Sequence, residues 1–128
     1  KIDKVIFKGY QDNPHPYQKM ALFSVLSSRN EGFPNVLIES LATGTPVVSF
    51  DCFTGPNEII QHKQNGLLVQ DQNIEKLAEA MNIMIEDQEL YQTCRQTASK
   101  SVQKFSTEII GKQWLDFLKQ NINKNDKH

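Results

Sequence analysis

Charge of one sign is what this sequence most plainly lacks. Fourteen Lys and Arg residues stand against fifteen Asp and Glu, for a formal net charge of −1. The basic footprint of a nucleic-acid-binding domain is therefore absent, and no local Lys/Arg cluster restores it. Cysteine is scarce as well: there are two, Cys52 and Cys94, far apart and in no Cys-x-x-Cys pattern. They read as free thiols of a reducing compartment, which makes the cytoplasm the expected location. The longest apolar runs, such as residues 21–26, are far too short to span a bilayer, and no signal peptide is recognisable. Gly and Pro form no low-complexity tract. His15, His62 and His128 are scattered, offering surface or loop roles rather than a ligand cluster, so no metal site is expected.

What is present fits one domain with one buried core, the amount that 128 residues allow. The chain opens at Lys1 directly on an apolar run and reads as a piece of something longer. Strand-like and helix-like segments alternate. Short apolar runs at residues 5–7, 22–27, 45–50 and 67–69 predict four strands. Between them, residues 16–21 suit a short helix, and Pro34 stands where a first helical residue is favoured, with Gly44 as the stop. A further short helix is expected over residues 56–61, and Asn65-Gly66 marks a turn. Asp71 or Asn73 can cap a helix in which Ile74, Leu77, Ala78, Met81 and Met84/Ile85 recur at helical spacing. A more polar helix follows over residues 87–105, then a last one carrying Ile109, Ile110, Trp114, Phe117 and Leu118. The final residues, 122–128, form a polar tail. Short unalternating strands separated by helices predict an α/β fold with a parallel sheet covered on both faces. Four strands are few for a self-sufficient doubly wound sheet.

The informative segment is Glu31-Gly32-Phe33-Pro34-Asn35-Val36-Leu37-Ile38-Glu39. A loop at the carboxyl end of a strand feeds directly into a helix, at the sheet edge where open α/β folds bind ligands. The helix start offers N–H groups at Asn35, Val36 and Leu37 with the positive end of the helix dipole behind them, which suits a phosphate or diphosphate. Gly32 lets backbone approach a ligand closely. Glu39 shares a polar stripe with Asn35 and Thr43 at four-residue spacing, while Val36, Leu37, Leu41 and Ala42 are expected to face the sheet. Taken on spacing alone, two glutamates around a helix start are commonplace.

A longer series of motifs is specific. Val5-Ile6-Phe7-Lys8-Gly9-Tyr10, Leu26-Ser27-Ser28-Arg29, the E-x-x-x-x-x-x-x-E pattern from Glu31 to Glu39, the run from Glu39 to Val48, Gly55-Pro56-Asn57-Glu58-Ile59-Ile60, and Asn65-Gly66-Leu67-Leu68-Val69 follow one another in order. Together they resemble the "group 1" glycosyltransferases (family four), retaining enzymes of the GT-B fold built from two Rossmann-like domains. The resemblance covers residues 5–69 by motif and the helical remainder by layout. It implies that residues 1–121 are part of the C-terminal, nucleotide-sugar-binding domain, half of a GT-B architecture with a partial Rossmann-like sheet.

By that resemblance, Glu31 serves catalysis by contacting the donor's sugar ring, and the backbone from Gly32 through Phe33 and Pro34 to Asn35 lines its hydroxyls, the proline removing one amide donor. Val36 and Leu37 amides meet the phosphates, and Glu39 holds the ribose. Tyr10 and Gln11 border the base. The partners implied are a nucleotide-diphosphate sugar and a sugar or lipid-linked acceptor, the latter bound by an N-terminal domain. Family members usually need no metal or other cofactor, and many serve cell-surface polysaccharide or glycolipid synthesis. The resemblance also admits peripheral association of the full-length enzyme with the inner face of the membrane. Two departures stand out. Proline replaces the more usual glycine after Phe33, and Thr54-Gly55-Pro56 stands where many members have paired glycines; Glu58 then reads as a support of its own helix. The Arg and Lys that clamp the diphosphate in the family find no counterpart before Val5. Two other readings share the layout: a nonhydrolysing nucleotide-sugar epimerase, which needs an acid and histidine constellation at the cleft, and a noncatalytic nucleotide-sugar-binding module.

Overall fold

A computed structural model describes residues 4–30, 32, 34–53, 55–105, 111, 115–116 and 118–120. Its centre is a parallel sheet of three strands, β1 (Ser24–Leu26), β2 (Val47–Phe50) and β3 (Gly66–Val69), in the order β1-β2-β3. The register runs Ser24 with Val47 and Val47 with Gly66. Helix α1 (His15–Met20) precedes β1; α2 (Asn35–Ala42) and α3 (Pro56–Ile59) make the crossovers; α4 (Ile74–Glu86) and α5 (Gln88–Ser101) follow β3. A 3-10 turn, Gln103–Phe105, closes α5.

All four side chains of β2 are buried, because a central strand covered on both faces has no solvent side for alternation to mark. Val47 packs with Leu37 and Leu41 of α2, Ile59, Ile60, Ala98 and Val102. Val48 and Phe50 point the other way, to Leu67 and to Leu77, Ala80 and Met84 of α4. Helix α5 serves both layers, through Ala98 on the first and Cys94 on the second. Asn73 caps α4, its side chain accepting from the Lys76 amide at 3.0 Å, and Asp87 caps α5 in the same way through Leu90.

Several expectations are corrected. Residues 5–7 are not a strand; Val5, Ile6 and Phe7 are exposed and join no ladder. An apolar run becomes a strand only where a neighbour takes its backbone groups, and among the described residues β1 has β2 alone beside it. Pro34 is the N-cap rather than the first helical residue. In α2 the buried line is Leu37, Ser40 and Leu41, while Val36 is 41% exposed and Ala42 is exposed. At about 100° per residue, Leu37, Ser40 and Leu41 fall within one arc that excludes the other two. Ser40 is tolerated in that arc because its hydroxyl lies 2.7 Å from that of Ser24 and donates to Thr45 O at 3.2 Å. In α4, Ile74 and Ile85 are exposed. The expected apolar face of Ile110, Trp114 and Phe117 lies outside the described residues.

Both cysteines are buried, and no disulfide joins them. Burial of the Cys94 thiol pushes its pKa from 9.0 up to about 11, since the thiolate would lose its hydration among apolar neighbours. The folded state therefore holds a proton that the unfolded chain releases above pH 9. The stabilisation is complete below that point and is lost as pH rises toward 11, by up to about 1.4 kcal/mol per unit. Urea unfolding midpoints between pH 8 and 11 are expected to fall more steeply in the native protein than in Cys94→Ala. Parallel slopes would remove Cys94 from the alkaline response.

Candidate functional site

Because the strands are parallel and in register, their carboxyl ends share one edge. Three segments therefore leave the sheet at that edge, beginning with residues 27–30 after β1, 51–53 after β2 and 70–73 after β3. The first leads into α2, whose N-cap, Pro34, has φ −78° and ψ 85° and provides no side-chain cap. Proline cannot supply one. The first-turn amides are left to other acceptors. Of the three amides singled out, that of Leu37 donates to Pro34 O at 3.0 Å. Among the described residues, those of Asn35 and Val36 have no acceptor. Leu37 thus enters the site only through an amide already engaged, its side chain belonging to the core.

Gly55 fixes the second loop against the first. Its φ is +102°, and a Cβ there would lie 2.5 Å from Pro34 Cδ and 3.4 Å from Gly32 O. The Gly55 backbone therefore seats on the turn that opens α2, and both the conformation and the contact exclude any larger residue. Pro34 in the first loop and Gly55 in the second are thus complementary in shape. Glu58 stands exposed in the first turn of α3, its amide donating to Gly55 O at 3.0 Å, a position that suits the helix dipole.

Glu39 occupies the outer face of α2, one turn beyond Asn35, its side chain 39% exposed. Asn35 is exposed and Thr43 half-buried along the same stripe, as expected. Glu39 Oε2 lies 3.8 Å from Nε2 of His15, on α1. Tyr10 is 89% exposed, and Gln11 donates to Lys8 O at 2.9 Å; no described contact joins either to the α2 turn. Glu31 and Phe33 lie outside the described residues, as do Thr54 and His128. Nδ1 of His62 accepts from the Leu68 amide at 3.1 Å, a structural role at β3. No helix among the described residues is long and apolar enough to cross a membrane.

Two members of the site escaped the sequence reading. His15 stands 24 residues before Glu39 with no periodicity linking them, and only the packing of α1 on α2 joins them. The fit of Gly55 on Pro34 joins residues 21 positions apart, and no spacing in the sequence links them.

Residues 1–101 match the model of the family described as glycosyl transferases group 1. The chain belongs to that family. Among curated relatives, it is 36% identical over 107 residues to an exopolysaccharide phosphotransferase of Streptomyces coelicolor, covering 83% of this chain and 11% of that protein. It is 32% identical to the poly(glycerol-phosphate) alpha-glucosyltransferase of Bacillus subtilis, covering 94% of this chain and 18% of that one. Among solved structures, a mutant of S. aureus TarM in complex with Fondaparinux, alpha-GlcNAc-glycerol and UDP superposes with a TM-score of 0.79 at 29% identity, over 90% of this chain and 24% of that one. The chain thus spans less than a third of each of these proteins, and the TarM structure shares the arrangement of sheet and helices over the part that superposes.

Proposed function

We propose that the protein carrying this chain is a glycosyltransferase that binds a nucleotide-diphosphate sugar at the carboxyl edge of this sheet and transfers the sugar, with retention, to a sugar or lipid-linked acceptor. The setting is cell-surface polysaccharide or glycolipid synthesis, a reading supported by relatives named for an exopolysaccharide and for poly(glycerol-phosphate). The observation that carries the reading is Glu39, a half-exposed carboxylate one turn past a helix start that has no side-chain cap. Amides at Asn35 and Val36 suit the diphosphate, and that of Leu37 shares its bond with Pro34 O. A carboxylate one turn on is within reach of a ribose diol, as an acid is in dinucleotide folds. Glu31 acts at the sugar ring, and the backbone from Gly32 through Phe33 and Pro34 lines the sugar hydroxyls. Tyr10 and Gln11 border the base in this scheme. The UDP in the TarM complex supports a nucleoside diphosphate leaving group. The chemistry requires no metal, since helix-start amides and cationic side chains can stabilise the leaving diphosphate. The protein works in the cytoplasm, with peripheral attachment to the membrane where its acceptor is lipid-linked.

The test is Glu39→Ala in the complete protein. Removing a charged acceptor of two hydroxyl hydrogen bonds is expected to cost about 1.5–3 kcal/mol of nucleoside diphosphate affinity. The fold should survive, because the side chain lies on the polar stripe. Calorimetry showing unchanged affinity would take Glu39 out of the donor site.

A further inference from the structure

Helix α1 is held against the candidate site by a set of directed contacts. Asn13 Oδ1 accepts from the His15 amide at 3.2 Å, and Pro14 O accepts from the Tyr17 and Gln18 amides at 3.1 and 3.2 Å, so the helix start is fixed. From its inner side, the buried Gln18 reaches Val36 O of α2 at 3.4 Å, and Gln18 O accepts from the Thr45 hydroxyl at 2.7 Å. His15 therefore projects from an anchored element, and its Nε2 stands 3.8 Å from Glu39 Oε2.

That separation is just outside hydrogen-bonding range. A side-chain rotation of about 1 Å would bring Nε2–H onto the carboxylate. With 54% and 39% of their side chains exposed, the two groups are wet enough that an isolated pair of this kind contributes little to folding. Its consequence lies instead in where the carboxylate points. A free glutamate carboxylate samples several rotamers, and ordering it when a diol arrives weakens binding. A donor on Oε2 removes part of that disorder beforehand. It leaves Oε1 and the second lone pair of Oε2 to accept from the ribose.

We infer that His15 is a positioning residue for the ribose-binding carboxylate: on that small rotation its Nε2–H donates to Glu39 Oε2 and holds the carboxylate toward the ligand. This rests on the reading of Glu39 given above.

The experiment is calorimetric binding to the complete protein. UDP, GDP and ADP are the probes, together with the 2′,3′-dideoxy counterpart of whichever binds most tightly. His15→Ala is expected to weaken the nucleoside diphosphate about three- to fivefold and to leave the dideoxy compound unchanged. In a Glu39→Ala background it should add nothing. His15→Gln keeps an N–H donor of similar reach and is expected to retain binding within about twofold. Thermal melting of each variant checks the fold. Equal weakening of both ligands by His15→Ala would mark a merely structural role and overturn the inference. So would equal loss in the Ala and Gln variants, or no loss in His15→Ala where Glu39→Ala weakens binding. If Glu39→Ala itself leaves the nucleoside diphosphate unaffected, the reading of the ribose site fails, and the inference with it.

Discussion

Gly66→Ala is expected to destabilise the protein by about 3 kcal/mol or more, at the upper end of what overpacking does. Gly66 opens β3 and pairs with Val47 at the centre of the sheet. A Cβ on it would lie 2.2 Å from Val47 O and 2.9 Å from Val47 Cγ2. The obstacle is a neighbouring strand's backbone, and that strand is buried on both faces, so it has nowhere to retreat. Nor can Gly66 move away easily. Asn65, fully buried, accepts from the Gln61 amide at 2.8 Å and donates to Ile59 O at 3.1 Å and to the Ser101 hydroxyl at 2.9 Å. Lys63, at φ +67°, donates its amide to Gly66 O at 2.7 Å. Relief of the clash would have to break one of these bonds or the β2–β3 ladder, and each buried group left unpaired adds about 1–3 kcal/mol. Gly32→Ala is the control for stability. It has open space around it and no left-handed φ, so its urea midpoint should stay near that of the native protein. Similar midpoints for the two variants would show that β3 can shift without loss.

Gly66 also shows where sequence reading stops. The Asn65-Gly66 pair reads as a turn; the turn covers residues 63–65, and Gly66 is already the first residue of β3. Yet the glycine is required by the approach of β2, which pairs a residue 19 positions earlier. Local chemistry reports that a glycine occurs and is silent on which strand it faces. The strands at residues 24–26, 47–50 and 66–69 were legible because each is a short apolar run bounded by turn or cap residues. The run at residues 5–7 has the same local signature without a partner in the sheet, and hydrophobicity cannot distinguish the two cases. In α2, periodicity gave Leu37 and Leu41 but substituted Val36 and Ala42 for Ser40. A hydroxyl's suitability for the core depends on Ser24 and Thr45, neither of which is close in sequence.

The site divides along the same line. The loop-to-helix junction after β1 and the outward stripe of Asn35 and Glu39 follow from local pattern and appear as expected, with the helix beginning at Asn35, one residue after Pro34. The seating of Gly55 on Pro34 and the approach of His15 to Glu39 are products of tertiary packing. Family resemblance carried the assignment of roles, because it encodes a three-dimensional arrangement that no single spacing contains.

Under the proposed function, residues 1–128 alone are expected to give no measurable sugar transfer. Departure of the diphosphate builds negative charge that must be stabilised while an acceptor hydroxyl approaches the sugar. The amides at Asn35 and Val36 supply part of that stabilisation. By the family resemblance an Arg and Lys pair supplies a larger, charge-assisted part, and no such pair precedes Val5 in this sequence. Positioning the hydroxyl against the sugar contributes roughly 7–11 kcal/mol, or more than five orders of magnitude in rate. It requires a wall that also excludes water. The relatives named above are each more than three times as long as this chain, as shares of 24% and less show, which leaves ample room for that wall elsewhere in them. Nucleoside diphosphate binding by residues 1–128 is expected to survive weakly, near 1 mM, or about −4 kcal/mol. The measurement sets the purified segment beside the complete protein, with a panel of nucleotide sugars and of sugar and lipid-linked acceptors. Transfer by the segment within about a thousandfold of the complete protein, a gap of only about 4 kcal/mol, would place the catalytic machinery inside residues 1–128.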